Sequence, residues 1–199
     1  MIGTLDAMAT RKSSAAAQIY QLKITLRGAK PPIWRRVQVP SNITLGKLHH
    51  VIQAAMGWCN CHLHEFDIND RIYGQPMPDF GDLGLRSEVN VKLNKVITPT
   101  EKAKFHYVYD MGDGWEHEIL LEKVLPPDPK VTYPLCIKGK RACPPEDCGG
   151  IWGYAEFLKA IKDPQHPEYE SMRDWIGGDF DPEEFSLAEV NQQLQHLHP

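Results

Sequence analysis

The sequence lacks any long hydrophobic run. No stretch of about 18 consecutive apolar residues occurs in the 199-residue chain, so no transmembrane helix is predicted. The N-terminus also lacks the apolar core of a secretory signal peptide. We therefore expect a cytoplasmic protein with no membrane partner.

A strong charge of one sign is missing as well. The 22 lysines and arginines stand against 26 aspartates and glutamates, which gives a net charge of −4 and a pI of about 6.1. A protein held to nucleic acid mainly by its total charge would be basic, so this class is disfavoured. The content of 42% hydrophobic and 24% charged residues is typical of a globular domain.

Several catalytic signatures are absent. The sequence has no Gly-x-Ser-x-Gly, no His-Glu-x-x-His and no dinucleotide-binding glycine pattern. No reaction is therefore assigned by a motif.

The sequence has few cysteines, and their number is odd. The five cysteines cannot all pair within one chain, and Cys59 and Cys61 are close enough in sequence to disfavour a bond between them. This predicts the free thiols of a reducing compartment. A zinc site with four thiolates, from Cys59, Cys61, Cys143 and Cys148, is the alternative, although Cys-x-Cys and Cys-x₄-Cys are not the usual zinc spacings.

Alternation of apolar and polar residues indicates strands in the first half of the chain. Residues 18–27 and 33–39 alternate in this way, which predicts two strands joined as a hairpin. Thr44 then caps a helix, and Gly57 ends it.

A second hairpin is predicted around residues 105–121, where alternating segments flank a turn with two glycines. A strand over residues 62–68 and a short strand over residues 89–93 lie between the two hairpins. Residues 126–145 hold six of the sixteen prolines and are predicted to form a loop.

Three helices are predicted near the C-terminus. They begin at Gly149-Gly150, after Pro167 and at Asp181-Pro182, where aspartate is the N-cap and proline the first helical residue. Glu146 or Asp147 is predicted to cap the first of them.

The order of these elements indicates the fold class. Strands with one early helix, followed by helices, predict a single α+β domain over residues 18–197. We expect a mixed, mainly antiparallel sheet with the C-terminal helices packed on it. Residues 1–17 are small and polar, and they are predicted to form a disordered tail.

Four segments, taken in order, resemble the plasmid pRiA4b ORF-3-like family. They are PPIWRRVQVP (31–40), GWCNCHLHEFDI (57–68), YDMGDGWEHEILLE (109–122) and ACPPEDCGGIWGYAEFL (142–158). The resemblance implies an α+β fold and an association with plasmids and insertion sequences, but no reaction and no catalytic residues. Some members carry a resolvase-like label, yet the clustered arginines that a serine recombinase needs are absent here.

Three histidines and an aspartate form a candidate metal site. His62 and His64 lie two apart on a predicted strand and share a face, and His117 lies on the inner face of the second hairpin. If these strands are neighbours, the imidazoles converge, and Asp113 or Asp110 adds a carboxylate. Such a set suits zinc or another divalent metal that activates water. The alternative is that each histidine is hydrogen-bonded in a polar patch or in the core.

Charge is segregated along the chain. Residues 163–184 contain eight acidic residues and one basic residue, a net charge of −7. Six other residues form a candidate binding surface with a tryptophan that can stack on a base: Trp34, Arg35, Arg36, Lys138, Lys140 and Arg141. The alternatives are solvated charges, or docking of the acidic stretch on the basic surface within or between chains.

The leading prediction is a binding or accessory module without catalytic activity, associated with mobile elements. It presents residues 57–65, 110–115 and 138–150 as one surface to an unknown protein or nucleic-acid partner. One alternative is a metal-dependent hydrolase, acting on phosphodiesters, that uses His62, His64, His117 and Asp113. A nucleic-acid-binding module is the third.

Overall fold

The computed structural model describes residues 18–76, 84–99 and 102–197. The expected tail, residues 1–17, lies outside these ranges. Within them the chain forms an eight-stranded sheet and five helices. This confirms the predicted α+β class with a mixed, mainly antiparallel sheet.

The strands are β1 (Ile19–Leu26), β2 (Trp34–Pro40), β3 (His64–Asp67), β4 (Ile72–Gly74), β5 (Arg86–Ser87), β6 (Lys104–Tyr109), β7 (Trp115–Leu125) and β8 (Leu135–Lys140). The helices are α1 (Leu45–Met56), α2 (Leu93–Val96), α3 (Gly150–Lys162), α4 (Tyr169–Ile176) and α5 (Leu187–Gln195). The sheet order is β5-β4-β3-β6-β7-β1-β2-β8, and only β4 and β5 are parallel.

Local patterns account for the elements that were predicted correctly. Leu22 and Ile24 in β1 are fully buried, whereas Lys23 between them is half-buried on the opposite face. The Thr44 hydroxyl accepts the first-turn N–H of Lys47 at 3.3 Å, and Gly57 ends α1 at a φ of 100°. Both predicted hairpins are confirmed.

The inner face of the sheet carries the core. Tyr107, Tyr109 and Trp115 are fully buried on it, and α1 packs beside β2. Helix α5 packs on α1 and β8, where the Asn191 side chain bonds to both backbone groups of Cys136, at 2.8 Å and 2.9 Å. The C-terminal packing was therefore predicted correctly for α5.

Three predicted elements differ from the structure. The prolines of residues 126–145 flank β8 but leave its six residues free, so a strand forms inside the predicted loop. The predicted strand over residues 89–93 is a turn followed by α2. The last helix begins at Leu187 rather than at Asp181, because Ser186 caps it and the Asp181 carboxylate closes only a local turn onto Glu183 N.

None of the helices in the described ranges is long and apolar enough to cross a bilayer.

Candidate metal centre

Three loops meet at one end of the sheet. Strand β3 begins beside the end of β6, since His64 pairs with Tyr109, and Asp110 N donates to Leu63 O at 2.8 Å. The segment before α3 reaches the same place, where Glu146 Oε1 accepts Cys59 N at 2.8 Å. The segments predicted as one surface, residues 57–65, 110–115 and 138–150, therefore contact one another.

One histidine and three carboxylates converge where these loops meet. His62 Nε2 lies 3.1 Å from Asp147 Oδ1, 3.7 Å from Asp110 Oδ2 and 3.9 Å from Glu146 Oε2. Within the described ranges, His62, Asp110 and Asp147 are the one group of three or more metal-ligating side chains whose ligand atoms all lie within 4.8 Å of one another. His62 Nε2 and Glu146 Oε2 are buried atoms without a hydrogen-bond partner among the described residues.

Backbone contacts fix two of these carboxylates. Asp110 is buried in a left-handed conformation with a φ of 56°, and its Oδ1 accepts Gly112 N at 2.8 Å. Glu146 Oε1 also accepts the hydroxyl of Tyr109 at 3.1 Å. Burial raises the pKa of Tyr109 to about 12, so this hydroxyl stays protonated and keeps donating at neutral pH. The second oxygen of each carboxylate is left to face His62.

Asp113 ties the β6–β7 turn to the start of α3 and is not part of the cluster. Its Oδ2 accepts Gly149 N at 3.1 Å, and its backbone oxygen leaves no room for a side chain on Gly150, whose φ is 67°. Gly149 is the N-cap of α3, and this helix has no capping hydrogen bond from an N-cap side chain. The prediction that Glu146 or Asp147 caps this helix is therefore wrong.

His64 has partners of its own. Its Nε2 lies 2.8 Å from Glu88 Oε2, and its ring stacks on His49 with centroids 3.4 Å apart. His49 is hydrogen-bonded to Tyr107 Oη at 2.8 Å and to Asn60 Oδ1 at 2.6 Å. Burial lowers the pKa of His49 to about 3, so this ring is neutral at physiological pH.

His117 is buried in the core, at the edge of the Trp58 ring with centroids 5.2 Å apart. Neither of its ring nitrogens has a hydrogen-bond partner among the described residues, and burial lowers its pKa to about 4. The structure therefore does not bring His62, His64, His117 and Asp113 together. His62 and His64 separate because β3 starts only at His64, so the expected shared face does not extend to His62.

The prediction of five free thiols is wrong for Cys59 and Cys61, which are joined in a disulfide. The intervening Asn60 has a φ of 59°, and the two Cα atoms lie 5.5 Å apart, inside the range that a disulfide spans. Cys136, Cys143 and Cys148 are free thiols. With two of its four ligands bonded to each other, the alternative four-thiolate zinc site is not present.

The six residues of the predicted basic surface divide between the two faces of the sheet. Trp34 pairs with Lys140 and Arg36 pairs with Lys138 across β2 and β8, so these four share the outer face. Arg35, only 3% exposed, points inward. It has the same parity along β2 as the buried residues Ile33, Val37 and Val39, and this signal was visible in the sequence.

Arg35 and Arg141 have structural partners. The Arg35 guanidinium donates to Ala55 O at 2.8 Å and to Lys140 O at 3.0 Å. Arg141, 5% exposed, forms an ion pair with Glu183 at 3.0 Å. The acidic C-terminal stretch thus contacts a basic residue of its own chain.

A comparison with known families supports the resemblance seen in the sequence. A family model described as plasmid pRiA4b ORF-3-like protein matches residues 18–189. The chain belongs to this family. The uncharacterized protein y4hQ of Sinorhizobium fredii (strain NBRC 101917 / NGR234) is 40% identical over 182 residues, which are 91% of this chain and 93% of that protein.

A solved structure is also similar to this chain. The crystal structure of the protein of unknown function MM3350 from Methanosarcina mazei Go1 is similar to this chain with a TM-score of 0.80 and 44% identity. The match covers 88% of this chain and 98% of that one. The pRiA4b ORF-3-like fold is thereby established, while the names of these relatives assign no reaction to it.

Sequence reasoning missed the acidic half of the cluster. Glu146 and Asp147 were interpreted only as helix caps, and Asp110 only as an alternative to Asp113. The signal that was available is the pair of adjacent carboxylates in the Pro-Pro-Glu-Asp segment, next to two glycines that can turn the chain sharply.

Proposed function

We propose that this protein is a hydrolase that depends on a divalent metal ion held by His62, Asp110 and Asp147. One observation carries the proposal: the buried Nε2 of His62, without a hydrogen-bond partner among the described residues, faces carboxylates from two other loops. A buried polar atom without a partner is costly unless a ligand uses it.

The distances between these ligand atoms are compatible with metal ligation. Two ligand atoms about 2.1 Å from one ion lie about 3.0 Å apart at a right angle and about 3.4 Å apart at the tetrahedral angle. The distances of 3.1 Å and 3.7 Å from His62 Nε2 to Asp147 and Asp110 lie within about 0.3 Å of these values. One imidazole with two or three carboxylates is a donor set that suits Zn²⁺ or Mn²⁺.

The surroundings support hydrolysis. A bound divalent ion makes water more acidic and polarises the bond under attack. Glu146 holds one oxygen fixed by Cys59 N and Tyr109 and leaves Oε2 free, which suits a base that receives a proton from water. Asp147 is exposed, so the ion would be open to a substrate from solvent.

The first test is metal binding by the chelator-treated protein, measured by titration calorimetry with Zn²⁺ and with Mn²⁺. We expect one ion per chain. His62→Ala should lower the metal affinity by more than about 100-fold. Even the loss of a residue that only hydrogen-bonds to a metal ligand lowers the affinity by about 10- to 100-fold. His106→Ala, on the outer face of β6, is the matched control and should bind as the wild type does.

Asp147→Asn is the second variant, since an exposed side chain can be changed without disturbing the core. It should also weaken metal binding while its thermal unfolding stays unchanged. If both variants fold and bind the metal as tightly as the wild type, the proposed site is wrong.

Turnover is tested next with bis(p-nitrophenyl) phosphate and p-nitrophenyl acetate as probes. Metal-dependent cleavage of either, lost in His62→Ala and in Glu146→Gln, would support the hydrolase. Metal binding with no cleavage of either probe would instead favour the binding or accessory module predicted first. The link to mobile elements and the cytoplasmic location stay predictions.

A further inference from the structure

A compact group of cations surrounds one tryptophan on the outer face of the sheet. We call this group the outer basic face and define it by Lys23, Trp34, Arg36, Lys138 and Lys140. Strand pairing places them together: Lys23 lies opposite Arg36 across β1 and β2, and Arg36 and Trp34 lie opposite Lys138 and Lys140 across β2 and β8. Cross-strand partners share a face, so all five side chains point the same way.

The Trp34 side chain is half-buried, and two cations lie over its ring. Lys23 Nζ lies 5.3 Å from the centroid of the Trp34 ring, and Arg36 Cζ lies 5.2 Å from it. These are cation–π distances. Trp34, Lys23 and Arg36 are half-buried, and Lys138 and Lys140 are exposed. The face is therefore open to a ligand that brings both negative charge and a flat ring.

Most of the positive charge on this face has no internal partner. Arg36 forms an ion pair with Glu122, with Nη2 2.7 Å from Oε1, and the carboxylate also accepts Gln21 Nε2 at 2.9 Å. Among the described residues, no carboxylate forms an ion pair with Lys138 or Lys140, and Lys23 has only a longer-range attraction to Glu122. Three cations are therefore available to an outside partner, although the whole chain is acidic.

We propose that the outer basic face binds a single strand of nucleic acid. The lysines would contact phosphates, and Trp34 would stack on a base, which is the combination that sequence-tolerant single-strand binding requires. An acidic protein segment would use the lysines but would gain nothing from the flat ring. A duplex is disfavoured because the face of an eight-stranded sheet offers no helix to enter a groove. This proposal shares no residue with the metal centre.

The test measures fluorescence anisotropy of a fluorescein-labelled 15-nucleotide oligothymidylate, with chelator present so that the metal centre plays no part. Binding should weaken with salt, with a slope of log K against log[salt] near −2, since about three phosphate contacts contribute about −0.7 each. A labelled oligoglutamate peptide of 15 residues should bind at least about 5-fold more weakly, because it lacks the stacking contribution.

Two variants separate the contributions. Trp34→Ala should weaken binding by about 5- to 150-fold, the equivalent of one lost stacking contact, with the salt slope unchanged. The Lys138→Ala/Lys140→Ala double variant should reduce the magnitude of the slope by about 1.4. Their controls are Trp152→Ala, at a position 85% exposed on α3, and a Lys130→Ala/Lys162→Ala double variant, which should both bind as the wild type does.

Three results would overturn the proposal. One is equal binding of the oligothymidylate and the oligoglutamate, which would indicate an acidic protein partner. Another is loss of binding in the control variants to the same extent as in the test variants. The third is absence of binding by the folded wild-type protein at low salt.

Discussion

His117 should make the protein lose stability as the solution becomes mildly acidic. The ring is fully buried, and burial lowers its pKa from 6.5 to about 4. Above pH 6.5 the ring is neutral in both the folded and the unfolded chain, so it contributes no pH dependence. Between pH 6.5 and about 4 the unfolded chain binds a proton that the folded protein does not, and the free energy of unfolding falls.

The size of this loss follows from the two pKa values. A gap of about 2.5 pH units, at about 1.4 kcal/mol per unit, amounts to about 3 kcal/mol once the pH is below both values. At pH 4.5, where the folded state is still mostly unprotonated, the loss is about 2–3 kcal/mol. This is a large share of the 5–15 kcal/mol or so that stabilises a typical domain.

Urea unfolding at pH 7.0 and pH 4.5 measures this contribution in the wild type and in His117→Leu. Leucine cannot titrate, so the loss between the two pH values should be about 2–3 kcal/mol smaller in the variant. For an m value of about 2 kcal/mol per molar urea, this is a difference of about 1 M in the midpoint shift. His196→Leu, at an exposed position, is the control and should keep the wild-type loss. The same pH-dependent loss in His117→Leu as in the wild type would refute the reasoning.

Two further predictions concern the loop contacts and the outer face. Asp113→Ala removes the acceptor of Gly149 N and loosens the loop that carries Asp147, so calorimetry should show a metal affinity lower by about 10-fold. The free energy of unfolding should change by no more than about 1 kcal/mol. An unchanged metal affinity would contradict this prediction. The Arg36 hydrogen bond lowers the pKa of Glu122, so its stabilisation is present above the ordinary pKa and is lost as the pH falls through the lowered value. Glu122→Gln should lower the free energy of unfolding, measured with urea at pH 7, by about 1–2 kcal/mol. The difference in this free energy between the variant and the wild type should become smaller towards pH 3 rather than stay constant.

The elements that sequence analysis predicted well are those whose signal is local. Alternation along β1 and the cap and stop residues Thr44 and Gly57 of α1 each involve side chains a few residues apart. Such patterns need no knowledge of the rest of the fold. The hairpin of β6 and β7 belongs to the same group, because a short turn with two glycines determines its pairing.

The elements that were missed depend on contacts far along the chain. Strand β8 forms because it can pair with β2, which lies about a hundred residues earlier in the sequence. The six residues of β8 do not themselves strongly predict a strand. The candidate metal centre is of this kind as well. His62 and Asp147 are brought together by the sheet order and by the Asp113 contact to Gly149, neither of which can be inferred from spacing.

The backbone of the candidate centre supports a role for its carboxylates beyond turn formation. Asp110 and Asp147 both have a φ of 56°, a left-handed conformation that glycine adopts more easily than any other residue. Glycine forms the left-handed turns at the neighbouring Gly114 and Gly149, whereas the Asp110 side chain adds a hydrogen bond from Gly112 N that glycine cannot accept. Aspartate at both positions instead directs a carboxylate oxygen towards the same nitrogen of His62. At Asp110 the hydrogen bond from Gly112 N to Oδ1 offsets part of this cost, and the proposed divalent metal ion would use the oxygens that face His62.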